Sequence, residues 1–234
     1  MSPATFRSAD GRLRSMIVIG LTGGIAMGKS TAAGFYRRAR IPVFDADAVV
    51  RRLQSPHGRA IPALRSAFPT AVGPHGLDRN ILRHLVFADR TQLRRLEAIM
   101  HPLVREAERA FLARARRVRA RFCVLDIPLL FETGAEQRVD LIVAVSAPPR
   151  VQMYRIRTQR NLPEDEIGAI LKRQYPDRMR RSRADVVVHT GLSRYHALKT
   201  LKRHLAFLRS ETNACAPFSS TPKRRGLIRS RATG

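Results

Sequence analysis

Gly23, Gly28, Lys29 and Ser30 stand in the pattern G-x-x-x-x-G-K-S within GLTGGIAMGKST, residues 20–31. Glycines at this spacing let a backbone turn tightly enough to aim N–H groups at phosphate oxygens, and a helix starting at the lysine adds the positive end of its dipole. In such a loop Lys29 reaches the β- and γ-phosphates of ATP, and the Ser30 hydroxyl ligates Mg²⁺. Gly24, Ala26, Met27 and Thr31 complete the expected ATP-binding set. The flanks fit as well: the apolar MIVI precedes the loop and the helix-compatible STAAGFYRRA follows it.

The next chemistry-bearing pair lies in IPVFDAD, residues 41–47. On an extended backbone Asp45 and Asp47, two apart, lie on the same side. Asp47, beside the phosphate loop, could take the proton of an acceptor alcohol and orient it in line with the γ-phosphate. The alternative is a helix N-cap for the AVVRRLQ that follows. No N-K-x-D base-reading motif occurs, which weighs against a GTPase.

Elements of a particular kind must position these residues. Short apolar runs recur at 16–21, 41–47, 121–128, 139–147 and 184–190, nearly continuous in apolar character as in strands buried on both faces. Helical text separates most of them, predicting an α/β fold with a P-loop NTPase-type parallel sheet flanked by helices. A core of 16–57, 119–149 and 184–210 is expected, interrupted by a helical substrate-binding insertion at 58–118 and an arginine-rich helical lid at 150–183. Residues 1–15 read as a flexible extension and 211–234 as a disordered basic tail.

Composition bounds the function classes. An apolar content of 44% over 234 residues supports a globular core. No apolar stretch approaches the roughly 20 residues of a membrane span, so a soluble, cytoplasmic protein is expected, monomeric or weakly homo-oligomeric. Cys123 and Cys215 lie too far apart in sequence for a C-x-x-C or metal-ligand motif. The net charge of +26 is nearly all arginine, the side chain best shaped for phosphate, although a general preference for arginine over lysine would give the same composition. Aromatic residues make up only 6%, and no basic motif is interleaved with aromatics, so a specific nucleic-acid site is not expected.

Taken together, the blocks resemble the dephospho-CoA kinase family over most of 16–210. GLTGGIAMGKST is similar to its phosphate loop, FDADAVVRRL to its D-A-D element, AIMHPLVR to its His-Pro helix start, and DIPLLFE to its D-x-P-L-L-F-E strand end. RQYPDRMRRSRADVVVHTG resembles its passage from lid to final strand. The resemblance implies transfer of the ATP γ-phosphate to the 3′-hydroxyl of the dephospho-CoA ribose. It gives Asp47 the acceptor-orienting or base role, and offers Asp126 as a water-mediated Mg²⁺ contact or else a loop cap or arginine partner. Glu132 is placed at the substrate, and Pro128, Leu129, Leu130 and Phe131 form an apolar wall or pack in the core. His101 caps a helix start before Pro102 or meets an acidic group of the substrate. Arg155, Arg157 and Arg160 are lid candidates for the transferred phosphoryl group. The family's usual arginine four residues after Arg155 is Gln159 here, with Arg160 beside it. The competing readings are another small-metabolite kinase of the shikimate kinase kind, which lacks the DIPLLFE block and the long insertion, and a basic nucleic-acid-binding ATPase.

Overall fold

All seven residues of β1 (Ile17–Gly23) are buried, because helices cover both faces of the sheet it centres. In the computed structural model, which describes residues 16–160, 167–168, 171 and 174–214, five parallel strands run in the order β2, β5, β1, β6, β7. These are β2 (Val43–Asp45), β5 (Phe122–Asp126), β6 (Leu141–Ser146) and β7 (Val186–His189) around β1. Four of them, β2, β5, β6 and β7, form inside an expected apolar run and are shorter than it, since the run's ends turn into caps and loops, whereas β1 continues two residues past its run to Gly23. Alternation along β1 feeds two cores: Met16 and Val18 face one, and Ile17, Ile19 and Leu21 the other.

The second core is closed by α1 (Lys29–Arg38) and by α8 (Arg194–Ala214), which seats Leu201, Leu205 and Leu208. The helix α8 runs past the expected boundary at 210, and Arg121 Nη2 donates to Thr212 Oγ1 at 3.1 Å. Residues 211–214 therefore belong to the folded body. The rest of the expected tail, and the extension 1–15, lie outside the described residues.

The first core is covered by α2 (Ala46–Leu53), within the expected core segment, and carries the insertion: α3 (Ile61–Ala67), α4 (Arg79–Ala88) and α5 (Arg90–Arg117). It is not wholly helical, since Val72–Gly73 and Gly76–Leu77 pair as the short antiparallel strands β3 and β4. Nor does a helix start at His101–Pro102. Asp89 caps α5 through Thr91 N at 2.7 Å, and Pro102 lies in mid-helix. Proline costs the helix one hydrogen bond, to the Ala98 carbonyl, and the apolar face on either side of it, including Leu96, Met100 and Val104, holds the helix across that gap.

After β6 come α6 (Pro149–Arg160) and α7 (Asp177–Ser182). No helix of the described residues is long and apolar enough to cross a membrane.

Candidate active site at the carboxyl edge of the sheet

The loop from Gly23 to Gly28 leaves β1 and enters α1 through two residues in the left-handed region, Ala26 at φ 57° and Gly28 at φ 88°. Gly28 is the N-cap of α1. The N–H groups of Thr31 and Ala32 turn back to the Gly28 carbonyl at 3.0 and 3.4 Å. Those of Lys29 and Ser30 have no acceptor among the described residues and head the helix, as an anion-binding turn requires. Gly23 is required by close packing, because a Cβ there would come within 2.1 Å of Val145 Cγ2. Three side chains hold the loop from outside. Gln174 Oε1 accepts from Ile25 N at 3.1 Å, Gln152 Nε2 donates to Ile25 O at 3.0 Å, and Thr190 Oγ1 donates to Met27 O at 2.7 Å.

The register sets Asp126 level with Leu21 on one side and Asp45 on the other. Lys29 Nζ donates to Asp126 Oδ1 at 2.6 Å. Burial pushes the Asp126 carboxyl upward; the Lys29 ammonium opposes this, and the carboxylates of Asp45 and Asp47 add to the rise. Lys29 is thus held at the loop mouth by an acid whose charge would otherwise be costly to bury.

Asp45 and Asp47 do not share an extended strand. β2 ends at Asp45, whose side chain caps α2 by accepting from Ala48 N at 2.9 Å and also accepts from Arg37 Nη2 at 3.1 Å. The N-cap is therefore Asp45. Asp47 stands in the first turn of α2, exposed, with no hydrogen-bond partner among the described residues.

A cavity of about 1260 Å³ joins these parts. Gly23, Gly24, Ala26, Met27, Gly28, Lys29, Ser30 and Thr31 are among the residues that line it. Asp47, Asp126, Leu129 and Glu132 line it too, as does a stripe of α5 that includes Leu93, Met100, His101 and Glu108. Exposed His101 thus faces the cavity from mid-helix. Leu130 does not line it: the side chain is 0% exposed and packs in the core with Phe131. The apolar wall reduces to Pro128 and Leu129, because Gly20 leaves a space under the sheet that Leu130 fills. Glu132 Oε1 accepts from Tyr175 N at 2.7 Å. Across the floor, Arg138 forks onto buried Glu108 at 2.9 and 3.1 Å, tying α5 to the chain that enters β6.

Arg155 lines the cavity and is anchored on Thr190, to Oγ1 at 3.1 Å and to the carbonyl at 2.7 Å. Arg157 is exposed on the same helix. The Arg160 and Gln159 side chains lie outside the described residues. Sequence reasoning missed Thr190, Gln152, Gln174 and Arg180. Arg180 is 2% exposed and donates to Tyr175 O at 2.6 Å and to Asp177 Oδ1 at 3.4 Å; Asp177 Oδ2 accepts from Ser146 Oγ at 2.7 Å. Burial lowers its guanidinium, against the pull of Asp177 and Glu132. Three of the four lie in the block from lid to final strand, but most of their partners are main-chain atoms, which no sequence pattern announces.

The family model for dephospho-CoA kinase (CoaE) matches residues 17–193. The chain belongs to the dephospho-CoA kinase family. It is 46% identical over 198 residues to the dephospho-CoA kinase of Gluconobacter oxydans, covering 83% of this chain and 98% of that one. With that of Paramagnetospirillum magneticum it is 50% identical over 199 residues, covering 85% and 94%. Among solved structures it is similar to the Thermus thermophilus protein TT1252, with a TM-score of 0.73 at 37% identity over 83% of this chain and 99% of that one. Dephospho-CoA kinase from Campylobacter jejuni shares the fold, with a TM-score of 0.57 at 18% identity over 83% and 98%. Membership of this family makes the chain an ATP-dependent phosphotransferase and supports the dephospho-CoA kinase reading over the shikimate-type and nucleic-acid ones.

Proposed function

We propose that the chain transfers the γ-phosphate of ATP to the 3′-hydroxyl of the dephospho-CoA ribose, with Asp47 as the base that receives the hydroxyl proton. The observation that carries this is the placement of Asp47, an exposed carboxylate without a hydrogen-bond partner among the described residues, in the cavity that Lys29 and Asp126 also line. A base must be free to accept, whereas Asp45 is already committed to Ala48 N and Arg37.

In this reading the loop amides and Lys29 hold the triphosphate, and the ribose of the acceptor lies at Asp47 with the rest of the molecule extending toward α5. The hydroxyl oxygen attacks phosphorus, the bond from phosphorus to the β,γ-bridging oxygen breaks toward ADP, and the proton passes to an Asp47 carboxylate oxygen. Arg155, which lines the same cavity, would turn from Thr190 toward the transferring group, and Arg160 is a second candidate. His101, Leu129 and Glu132 contact the acceptor.

Mg²⁺ suits the donor set. The exposed Ser30 hydroxyl and the Asp126 carboxylate are hard oxygen donors beside the loop, and no group of three or more His, Cys, Asp or Glu able to hold a metal occurs among the described residues. Mg²⁺ characteristically takes a few such donors and completes its shell with phosphate and water. When bound it would neutralise charge on the β- and γ-phosphates. The free, buried Cys123 accords with the reducing cytoplasm proposed as its setting.

Asp47→Asn tests the assignment. Turnover with dephospho-CoA is expected to fall by about two to four orders of magnitude, with ATP affinity retained. Turnover near that of the parent would reduce Asp47 to a residue of the α2 first turn. NMR of the product locates the new phosphate on the ribose.

A further inference from the structure

Both backbone polar groups of Ile25, at the outer bend of the phosphate loop, are taken by side-chain amides. Its N–H donates to Gln174 Oε1 at 3.1 Å and its carbonyl accepts from Gln152 Nε2 at 3.0 Å. Gln152 is buried on α6, and Gln174 stands just before α7, so the two come from opposite ends of the stretch between β6 and β7. The orientation of each amide follows from its partner. An N–H can only donate and a carbonyl can only accept, so Gln174 presents oxygen and Gln152 presents nitrogen.

A second observation points to the same pair. Gly24 lies outside the G-x-x-x-x-G-K-S spacing, yet a Cβ on it would stand 3.1 Å from Gln174 Oε1 and 3.3 Å from Gln152 Nε2. The glycine leaves the two amides the room they need to reach its neighbour.

The geometry fixes the next peptide. A trans peptide is planar, so a carbonyl of Ile25 aimed at Gln152 turns the Ala26 N–H to the opposite side. Ala26 then sits at φ 57°, a conformation an alanine adopts only when its surroundings impose it. We propose that Gln152 and Gln174 are positioning residues for the nucleotide: by gripping Ile25 from two sides they hold the loop in the curvature that receives a triphosphate. The pair touches loop backbone and acts through it, and the proposal rests on the nucleotide site described above.

The test uses the full chain and titration calorimetry with ATP and Mg²⁺, which needs no acceptor. Gln152→Met and Gln174→Met keep the length and remove the hydrogen bond; each is expected to weaken ATP binding about tenfold, as the loss of a buried hydrogen bond implies. The double variant should fall well short of the product of the two, because both act on one residue. The glutamates discriminate further. Gln174→Glu keeps an acceptor for the Ile25 N–H, whereas Gln152→Glu sets an acceptor against the Ile25 carbonyl. Both place the same charge beside the same residue, so Gln152→Glu should lose about tenfold more affinity than Gln174→Glu if donor and acceptor roles matter. Thermal unfolding accompanies every variant, and the glutamate pair decides the matter if a methionine variant does not fold. Methionine variants that bind ATP within about twofold of the parent, or glutamate variants that lose equally, would overturn the proposal. A parent that binds ATP yet does not phosphorylate dephospho-CoA would count against the acceptor assignment alone and leave the glutamine pair standing.

Discussion

Lys29 has two partners to serve. It donates to buried Asp126 at 2.6 Å and is the residue that must also meet the triphosphate. Holding an ammonium in place before the phosphate arrives saves the reorganisation that a free lysine would need. Lys29→Met should therefore lower turnover by about two to three orders of magnitude, the range seen when a preorganised electrostatic contact is removed. Its stability should change with a definite sign. Without the ammonium the Asp126 carboxyl, already raised by burial, rises further. A raised carboxyl stabilises the fold below its unfolded value and loses that contribution as pH climbs through the folded value. Chemical denaturation should find the variant closer to the parent at pH 5 than at pH 8, with a deficit of at most about 3 kcal/mol because Asp126 can take up a proton. An equal deficit at both pH values would refute the coupling.

Among the elements, α5 carries the longest span of the site, and Pro102 divides it. The residue has no N–H for the Ala98 carbonyl, and proline is the commonest cause of a sharp helix bend. The cavity stripe of α5 lies on both sides of that point, with Leu93 and Met100 before it and Val104 and Glu108 after. Pro102→Ala should raise stability by about 1–3 kcal/mol, the cost of an interior proline, and should raise KM for dephospho-CoA while leaving KM for ATP nearly unchanged. A variant of unchanged or lower melting temperature would show that the packing around Pro102 has already absorbed the defect.

At the scale of the whole molecule, stability should fall on the acid side. His204 on α8 is 7% exposed, and neither ring nitrogen has a hydrogen-bond partner among the described residues. Burial lowers its imidazole from 6.5 to about 4, against the weak opposing pull of Asp185. Between those values the unfolded chain binds a proton that the native chain refuses, so stability drops as pH falls through this window and levels off below it. The loss amounts to about 3 kcal/mol. His204→Leu should flatten the profile of unfolding free energy between pH 7 and pH 4; a slope equal to that of the parent would place the acid sensitivity elsewhere. The net charge of +26 belongs to this scale too. The Arg138–Glu108 and Arg183–Glu136 pairs are neutral as units and contribute nothing to that excess.

Contiguous residues were the legible part of this protein. The phosphate loop and the strands as buried apolar runs follow from spacing and composition, because a turn or a strand face is set by neighbours within a few positions. Local signals also misled where two of them competed. His-Pro is a helix-start signal that the Asp89 cap and a continuous apolar face overrode, and Leu130 has the same apolar text as Leu129 but points to the other side of the turn. What only the tertiary structure decided is the company each residue keeps: Lys29 with Asp126, Asp45 rather than Asp47 as the cap, Gln152 and Gln174 on Ile25, Arg155 on Thr190. Most of these contacts join residues far apart in the chain, and several end on main-chain atoms that every residue possesses. The sequence therefore determined which chemistry was available, while parallel strand register and helix packing decided which groups were spent on architecture and which were left facing the cavity.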